Sequence, residues 1–205
     1  MNDKSTVCGI ILAGGMSRRL GRNKAVEEFN GSPLISHVID RISLITNETI
    51  IVVNNQERAS QLPLPDSAKV AIDIYPDKGS LGGIFTGLSA SESHWGIVVA
   101  CDMPFLNTQL LEHMLSLRNG SYAIVPVLSN RPEPIHAIYS KYCLSKIQHK
   151  IENDDLKISG LFEQIKVKWV SEDTIDAYDP NHISFFNINT QKDLDTAINI
   201  LPKSS

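Results

Sequence analysis

The residues best suited to bind a charged ligand lie in one glycine-rich, cationic segment that spans residues 9–24. An apolar run from Val7 to Leu12 ends there at two glycines. The loop that follows carries one further glycine and four cations, which are Arg18, Arg19, Arg22 and Lys24. Glycine lets the backbone approach a ligand closely and present its N–H groups. Exposed N–H groups beside positive charge suit a polyphosphate ligand.

The spacing within this segment excludes two familiar phosphate-binding fingerprints. A Walker A loop requires Gly-x-x-x-x-Gly-Lys-Ser/Thr. Here five residues separate Gly15 from Gly21, and Lys24 follows three positions later. The dinucleotide fingerprint Gly-x-Gly-x-x-Gly is also absent from the segment. The loop therefore belongs to another class of phosphate-binding loop.

A second set of polar side chains comes at the ends of apolar, β-type runs further along the chain. These residues are Asn54, Asp73, Asp102 and Asn189. Loops that follow parallel strands share one edge of a sheet, so we expect these side chains to meet in one cleft. Mg²⁺ typically takes one or two carboxylates together with phosphate oxygens. A carboxylate at the end of a buried strand is well held, and we therefore predict Asp102 as the ligand of a magnesium ion.

The hydrophobic pattern predicts the elements that must position these loops. Strands alternate with helices, which predicts an α/β fold with a mostly parallel sheet. Ser32 and Pro33 are predicted to cap the first helix, and Asn107 a later one. The predicted strands are 7–12, 48–54, 69–74, 95–101, 121–127, 133–139, 166–171 and 183–188. The predicted helices are 33–45, 56–62, 80–91, the one capped by Asn107, 141–152, 157–165 and a last one capped by Thr190.

Length, charge and cysteine content narrow the class of protein. The chain has 205 residues, of which 42% are hydrophobic and 20% charged, as in one globular domain that spans residues 1–205. A net charge of −4 argues against a broad nucleic-acid-binding face. Three sparse cysteines without a CxxC pair suit a reducing compartment. Because no apolar run approaches the ~20 residues of a membrane span, we predict a cytoplasmic protein without membrane or nucleic-acid partners.

The segment from Leu12 to Lys24 resembles the signature Leu-Ala-Gly-Gly-x-Ser-x-Arg-Met-Gly-x-Asp-Lys. That signature belongs to the molybdenum cofactor guanylyltransferases, the MobA family of nucleotidyltransferases. Leu20 replaces its Met and Asn23 replaces its Asp. Further motifs extend the resemblance to nearly the whole chain, from Gly9 to about Leu194. They are Gly79 to Gly83 for Gly-Pro-Leu-Gly-Gly, Cys101 to Pro104 for Cys-Asp-x-Pro, Glu133 to Ala137 for Glu-Pro-Leu-His-Ala, and Asn187 to Thr190 for Asn-x-Asn-Thr.

The resemblance implies both a fold and an activity. The fold is a Rossmann-like nucleotidyltransferase fold, three layers deep (α/β/α), with a mixed, mostly parallel sheet of seven or eight strands. The activity is Mg²⁺-dependent transfer of GMP from GTP to molybdenum-bound molybdopterin, which yields the guanine dinucleotide cofactor and pyrophosphate. Molybdenum-insertion proteins and molybdoenzyme apoproteins are the partners implied on either side of the reaction.

The resemblance also implies roles for individual residues, although Thr190 is expected to serve only as a helix cap with Asp193. For His136, a contact to the acceptor and a structural, hydrogen-bonded position in the protein both stay open. The expected catalytic residues are Arg19, Lys24 and Asp102, of which Asp102 is the metal ligand. The expected nucleotide-binding residues are Leu12, Ala13, Gly14, Gly15, Lys24, Asn54, Asp73 and Asp102. The expected acceptor-binding residues are Gly82, His136, Asn187 and Asn189.

The chemistry of such a reaction agrees with the residues present. A phosphomonoester nucleophile is mostly ionised at neutral pH, so no strong general base is required. The obstacle is charge repulsion, which positioning and neutralisation overcome. Lys24 and Arg19 are expected to neutralise the leaving pyrophosphate, Mg²⁺ on Asp102 to bridge the α-phosphate and the acceptor, and the backbone N–H groups of residues 13–15 to hold the nucleotide.

Three alternatives to guanylyl transfer stay open at this point. The first is a CTP-dependent enzyme of the same cofactor pathway, although such enzymes typically carry Leu-Ala-Ala-Gly where this chain has Leu-Ala-Gly-Gly at residues 12–15. The second is a sugar-phosphate nucleotidyltransferase, which is usually longer and lacks the Asn-x-Asn-Thr ending. The third is a non-catalytic GTP-binding module, which Asp102 disfavours because binding alone does not require a rigidly held metal carboxylate.

Overall fold

A computed structural model describes residues 7–14 and 24–201 of the chain. Two short strands in this part of the chain form a hairpin, and the other eight form one mixed sheet. The hairpin strands are β2 (Glu28–Phe29) and β3 (Ser32–Pro33). The sheet strands are β1 (Val7–Leu12), β4 (Glu48–Val53), β5 (Ala68–Ile72), β6 (Trp95–Ala100), β7 (Ala123–Leu128), β8 (Arg131–Pro132), β9 (His136–Ser140) and β10 (Val167–Val170).

The strands of the sheet lie in the order β10-β7-β9-β6-β1-β4-β5, and β8 pairs with β7. Parallel pairing joins β6 to β1, β1 to β4, β4 to β5 and β10 to β7. Strand β9 runs antiparallel between β6 and β7. The prediction of a mixed, mostly parallel sheet is therefore confirmed. Because β9 is reversed, its first residue lies at the edge of the sheet where β1, β4, β5 and β6 end.

Helices cover both faces of the sheet and give the three predicted layers. Alternate residues of β1 enter different apolar cores, as the period of a strand requires. The helices are α1 (Leu34–Ser43), α2 (Gln56–Gln61), α3 (Gly79–Ala90), α4 (Thr108–Ser116), α5 (Leu144–Glu152), α6 (Ser159–Phe162), α7 (Glu172–Asp176) and α8 (Gln191–Ile200). Val7 and Ile11 pack with α1 and α4, whereas Cys8 and Ile10 pack with α3 and α5.

Two predicted helix caps have the expected geometry. The side chain of Asn107 accepts a hydrogen bond of 3.0 Å from the Leu110 N–H group at the start of α4. Thr190 and Asp193 form a capping box at the start of α8, in which each side chain accepts a hydrogen bond from the other's backbone N–H. The structural role expected of Thr190 is therefore confirmed.

The predicted cap of the first helix is wrong. Ser32 and Pro33 belong to strand β3, and α1 begins at Leu34 without a side-chain cap. Asn30 and Gly31 have φ angles of 48° and 78°, which suit the tight two-residue turn between β2 and β3. Because Ser32 pairs with Phe29 in the hairpin, it is not the residue that caps the helix.

The predicted strand 183–188 is also wrong. Residues Ile183–Phe185 form a 3₁₀ turn instead. The carboxylate of Asp179 accepts hydrogen bonds from the Ile183 and Ser184 N–H groups, at 3.0 and 2.7 Å, and bends the chain into this turn. Only later does the segment meet the end of β6, where the Ile188 N–H donates to the Asp102 carbonyl at 3.0 Å.

Within the described residues, no helix has both the length and the apolar character needed to cross a bilayer. The cytoplasmic location stays a prediction. The single-domain organisation is a proposal, which the presence of one sheet with helices on both faces supports.

Candidate active site

The cation of the glycine-rich segment and the acid at the end of β6 are in direct contact. The Lys24 Nζ atom lies 3.0 Å from Oδ2 of Asp102, and the same ammonium group donates a hydrogen bond to Oδ1 of Asn189. The Lys24 and Asp102 side chains are only 16% and 11% exposed. Three segments that are distant in the sequence therefore meet at the edge of the sheet where β1 and β6 end.

Asp102 is held by backbone contacts on both sides. The Cys101 N–H donates to the Leu12 carbonyl at 3.2 Å, which continues the pairing of β6 with β1 by one residue. The Asp102 carbonyl accepts the hydrogen bond from Ile188. Burial raises the pKa of the Cys101 thiol to about 12, so this cysteine stays protonated and belongs to the core. The carboxylate of Asp102 is thus mounted on a rigid strand end.

One carboxylate oxygen of Asp102 fits a divalent cation. Its Oδ1 atom is buried and has no hydrogen-bond partner within the described part of the chain. Buried polar atoms nearly always have a partner, so an unpaired carboxylate oxygen suggests a ligand that brings positive charge. No group of three His, Cys, Asp or Glu side chains in residues 7–14 and 24–201 could hold a metal by itself. A cation here would take Asp102, with phosphate oxygens completing its shell.

The end of β1 is shaped by close contact with Asn54. A Cβ atom added to Gly14 would lie 1.9 Å from the Asn54 Oδ1 atom, so a side chain at this position would displace Asn54. The Ala13 N–H group donates to the Val52 carbonyl at 2.8 Å. That N–H is committed to the sheet, which corrects the prediction that it holds the nucleotide. Its neighbour Gly14 lies against Asn54, and the contact of both residues with a nucleotide stays a prediction.

Arg58 is a residue that the sequence interpretation missed. Its Nη1 atom, on helix α2, donates to the Gly14 carbonyl at 2.9 Å and to the Ala13 carbonyl at 3.4 Å. These bonds hold the carbonyl groups of the segment that leads into the glycine-rich loop. The available signal was its spacing, since Arg58 lies one helical turn after Asn54 on a helix capped by Asn55.

Asp73 and Gly82 meet where β5 ends and α3 begins. Oδ1 of Asp73 accepts hydrogen bonds from the Thr86 hydroxyl at 2.8 Å and the Tyr75 N–H at 3.0 Å. Burial raises the pKa of the Asp73 carboxyl, although these two donors oppose the shift. A Cβ atom on Gly82 would lie 2.6 Å from the Tyr75 carbonyl and 3.2 Å from both Asp73 carboxylate oxygens. Close packing therefore explains the glycine, and its contact with an acceptor stays a prediction.

Two residues predicted to contact the acceptor are engaged inside the protein. His136 is fully buried, its Nε2 atom lies 2.7 Å from the Ser184 hydroxyl, and its ring packs against Phe185 with 4.2 Å between centroids. Burial lowers the pKa of His136 to about 4, so the ring is neutral at pH 7. Asn187 donates from its side chain to the Phe185 carbonyl at 3.0 Å. This geometry favours the structural reading of His136, and the acceptor contacts of both residues stay predictions.

Among the remaining predicted residues, Leu12 packs against α3, where a Cβ atom on Gly83 would lie 3.0 Å from its Cδ2 atom. Gly15 and Arg19 lie outside the described residues. The structure thus brings Lys24, Asp102 and Asn189 together, and it pairs Gly14 with Asn54.

Comparison with known proteins identifies the group to which this arrangement belongs. Residues 9–167 match the MobA-like NTP transferase domain. The chain belongs to this family. It is 35% identical to a probable molybdenum cofactor guanylyltransferase of Natranaerobius thermophilus, over 97% of this chain and 98% of that protein. It is 33% identical to the molybdenum cofactor guanylyltransferase of Desulfosudis oleivorans, over 93% of this chain and 94% of that one.

A solved structure agrees with the family assignment. The molybdopterin-guanine dinucleotide biosynthesis protein A of Archaeoglobus fulgidus superimposes with a TM-score of 0.82 and is 30% identical. The match covers 95% of this chain and 97% of that one. The resemblance read from the motifs and the predicted nucleotidyltransferase fold are therefore confirmed. In this MobA-like chain, the paired Lys24 and Asp102 place positive charge beside a hard oxygen ligand at the carboxyl edge of the sheet.

Proposed function

We propose that this protein transfers GMP from GTP to molybdenum-bound molybdopterin, which forms the guanine dinucleotide cofactor and releases pyrophosphate. The observation that carries the proposal is the contact of Lys24 with Asp102 and Asn189 at the carboxyl edge of the sheet. Relatives that match nearly the whole chain, named as molybdenum cofactor guanylyltransferases, supply the choice of nucleotide and acceptor. The Leu-Ala-Gly-Gly sequence at residues 12–15 points the same way.

The nucleotide would lie along the edge formed by the ends of β1 and β4. Gly14 lets the backbone pass close to Asn54. Arg58 donates hydrogen bonds to the Ala13 and Gly14 carbonyl groups, which would keep these oxygens from repelling the phosphates. Lys24 supplies positive charge for the triphosphate, and we assign the same role to Arg19. Asp73, on the neighbouring strand end, is the proposed additional nucleotide contact.

The residues need only position and neutralise the reactants. The terminal phosphate of the pterin is mostly ionised at neutral pH, so it can attack without a general base. Lys24 would offset the charge that builds on the leaving pyrophosphate, and Asn189 would orient the Lys24 ammonium through their hydrogen bond. Asp102 would hold Mg²⁺, which supplies Lewis-acid neutralisation of phosphate charge when bound. Gly82, His136, Asn187 and Asn189 remain the proposed acceptor side of the cleft.

The partners predicted on either side of the reaction follow from this proposal. GTP and molybdenum-bound molybdopterin are its substrates. Molybdenum-insertion proteins would supply the acceptor, and molybdoenzyme apoproteins would receive the dinucleotide product.

The test is pyrophosphate release from GTP in the presence of Mg²⁺ and molybdenum-bound molybdopterin, with the dinucleotide product identified by mass spectrometry. Parallel reactions contain CTP in place of GTP, or a sugar 1-phosphate in place of the pterin. We expect release with GTP and pterin and little with the other combinations. Faster turnover with CTP would instead assign a cytidylyltransferase. GTP binding without release from any acceptor would overturn the enzymatic proposal.

A further inference from the structure

A buried polar cluster lies behind the candidate active site, and His136 is the only one of its members to which a substrate contact has been assigned. The Ser184 cluster, as we call it, consists of Asn107, His136, Asp179 and Ser184. The Ser184 hydroxyl accepts a hydrogen bond from the Asn107 N–H at 2.8 Å and lies 2.7 Å from the His136 Nε2 atom. The Asp179 carboxylate accepts the Ser184 N–H at 2.7 Å. Ser184 is 1% exposed and His136 is 0% exposed.

The Ser184 oxygen accepts the Asn107 N–H and still has a second lone pair and its own proton, so it can pair with Nε2 of His136 in either neutral tautomer. The ring is neutral at pH 7 because burial lowers the pKa of His136 to about 4. Its Nδ1 atom has no hydrogen-bond partner within the described residues, so the contact with Ser184 is the one that holds the imidazole there. The hydroxyl thus links three segments that are remote in the sequence, at residues 107, 136 and 184.

These contacts hold a stretch of chain that joins no strand of the sheet. Residues 179–189, the C-terminal segment, contain a 3₁₀ turn and make no strand pairing with the sheet. Asn107 adds a second tie, since its side-chain amide donates to the Tyr178 carbonyl at 2.8 Å. Ile188 anchors the far end of the segment through its hydrogen bond to the Asp102 carbonyl and its burial beside Phe29.

The segment leads directly into the site. Asn189 follows Ile188 and accepts the hydrogen bond from the Lys24 ammonium group. Any shift at Ser184 has only a few residues over which to dissipate before it reaches Asn187 and Asn189. We propose that Ser184 is a positioning residue, which uses its hydrogen bonds to Asn107 and His136 to hold Asn187 and Asn189 in register with Asp102. The kinetic consequence rests on the function proposed above.

The experiment compares Ser184→Ala with Ser140→Ala. Ser140 is a matched control because it is equally buried on the same strand as His136 but lies at the opposite end of β9. Amide hydrogen exchange of residues 183–189 is measured on the ligand-free proteins, and calorimetry gives the affinity for GTP. Steady-state kinetics give kcat and the KM for molybdenum-bound molybdopterin.

Loss of one buried hydrogen-bonding group should change equilibria roughly tenfold. We therefore expect the amide hydrogens of residues 183–189 to exchange roughly tenfold faster in Ser184→Ala than in wild type. The KM for the acceptor should rise by a similar factor, and the affinity for GTP should stay within about twofold of wild type. His136→Phe, which keeps an aromatic ring against Phe185 but loses Nε2, should change the same two quantities in the same direction. It also serves as the test if Ser184→Ala does not fold.

Two results would overturn the inference. One is exchange of residues 183–189 in Ser184→Ala and His136→Phe that matches Ser140→Ala. The other is a loss of GTP affinity as large as the rise in acceptor KM, because the effect would then be a general loss of structure. If the wild-type protein transfers no GMP, the proposed function fails, and the exchange rates alone decide whether Ser184 holds the segment.

Discussion

The two sides of the candidate active site are held in different ways. On the nucleotide side, the polar residues directly follow strands, and the backbone ladder continues past them. The N–H groups of Ala13, Asp73 and Cys101 all donate to carbonyl groups of neighbouring strands, at 2.8, 2.8 and 3.2 Å. On the other side, the C-terminal segment reaches the site as an irregular chain, and side chains such as Asp179 and Ser184 hold it in place.

On the nucleotide side, the functional side chains do not hold the backbone in place, whereas on the other side the backbone position depends on side-chain hydrogen bonds. Where the backbone ladder positions a functional side chain, replacement of that side chain removes a group without moving its neighbours. Where side-chain hydrogen bonds position the chain, one replacement shifts several groups and makes their position depend on burial and protonation. The two sides should therefore respond differently to substitution and to pH.

The largest effect is expected from Asp102→Ala, on the side held by the backbone. Removal of the carboxylate should lower kcat by about 10³-fold or more, equivalent to about 4 kcal/mol, because the site loses its metal ligand and the partner of Lys24. The fold should persist, since strand pairing and not the carboxylate holds this position. Pyrophosphate release and circular dichroism measure the two quantities. Asp40→Ala, at an exposed position on α1, is the control. An active Asp102→Ala enzyme would refute the metal role.

The next effect concerns stability on the side held by side chains. The folded-state pKa of His136 is lowered to about 4, below the ordinary value of 6.5, so the unfolded chain takes up the proton first as pH falls. The contribution of neutral His136 is therefore present above pH 6.5 and lost towards pH 4, by about 2–3 kcal/mol.

Urea unfolding of wild type and His136→Phe at several pH values tests this expectation. The difference in the free energy of unfolding between the two proteins should shrink in the acid range, since the variant has no imidazole to protonate. Parallel curves from pH 7 to pH 4 would contradict the assignment of His136 as a buried, neutral group.

A smaller effect is expected from Lys24→Ala. Lys24 contacts both sides of the site, through Asp102 on one side and Asn189 on the other. Its charge should lie by the β- and γ-phosphates, so GTP affinity should fall by about 1–2 kcal/mol and GMP affinity by less. Calorimetry with both nucleotides gives the comparison. Equal losses for GTP and GMP would overturn the assignment of Lys24 to the leaving group.

The smallest effect is expected from Arg58→Met, which keeps the apolar stem but loses the hydrogen bonds to the Ala13 and Gly14 carbonyl groups. GTP affinity should fall by about 1 kcal/mol, since the backbone ladder still holds the end of β1. Arg118→Met, beyond the far end of α4, provides the control. A loss as large as that in Lys24→Ala would mean that side chains position the nucleotide side as well.

Most of the helices and strands could be predicted because the apolar pattern and the capping residues that specify each of them lie within the same short segment. Strands β4 and β6 are apolar runs followed by polar residues, and β1 is an apolar run followed by glycines. Asn107 and Thr190 cap helices as expected. The failures have non-local causes. Ser32 is taken up by a hairpin, and residues 183–188 look like a strand until the Asp179 carboxylate bends them into a turn.

The chemical groups of the site can be read from the order of residues, since a loop with glycine and lysine and an aspartate after a buried strand are visible without coordinates. How each group is used depends on the folded arrangement of the chain. It commits the Ala13 N–H to the sheet, buries His136 as a neutral ring and recruits Arg58. The physical reason is that hydrogen-bond partners and burial depend on which segments pack together, and the reversed strand β9 and the C-terminal segment pack here through contacts between residues far apart in the chain.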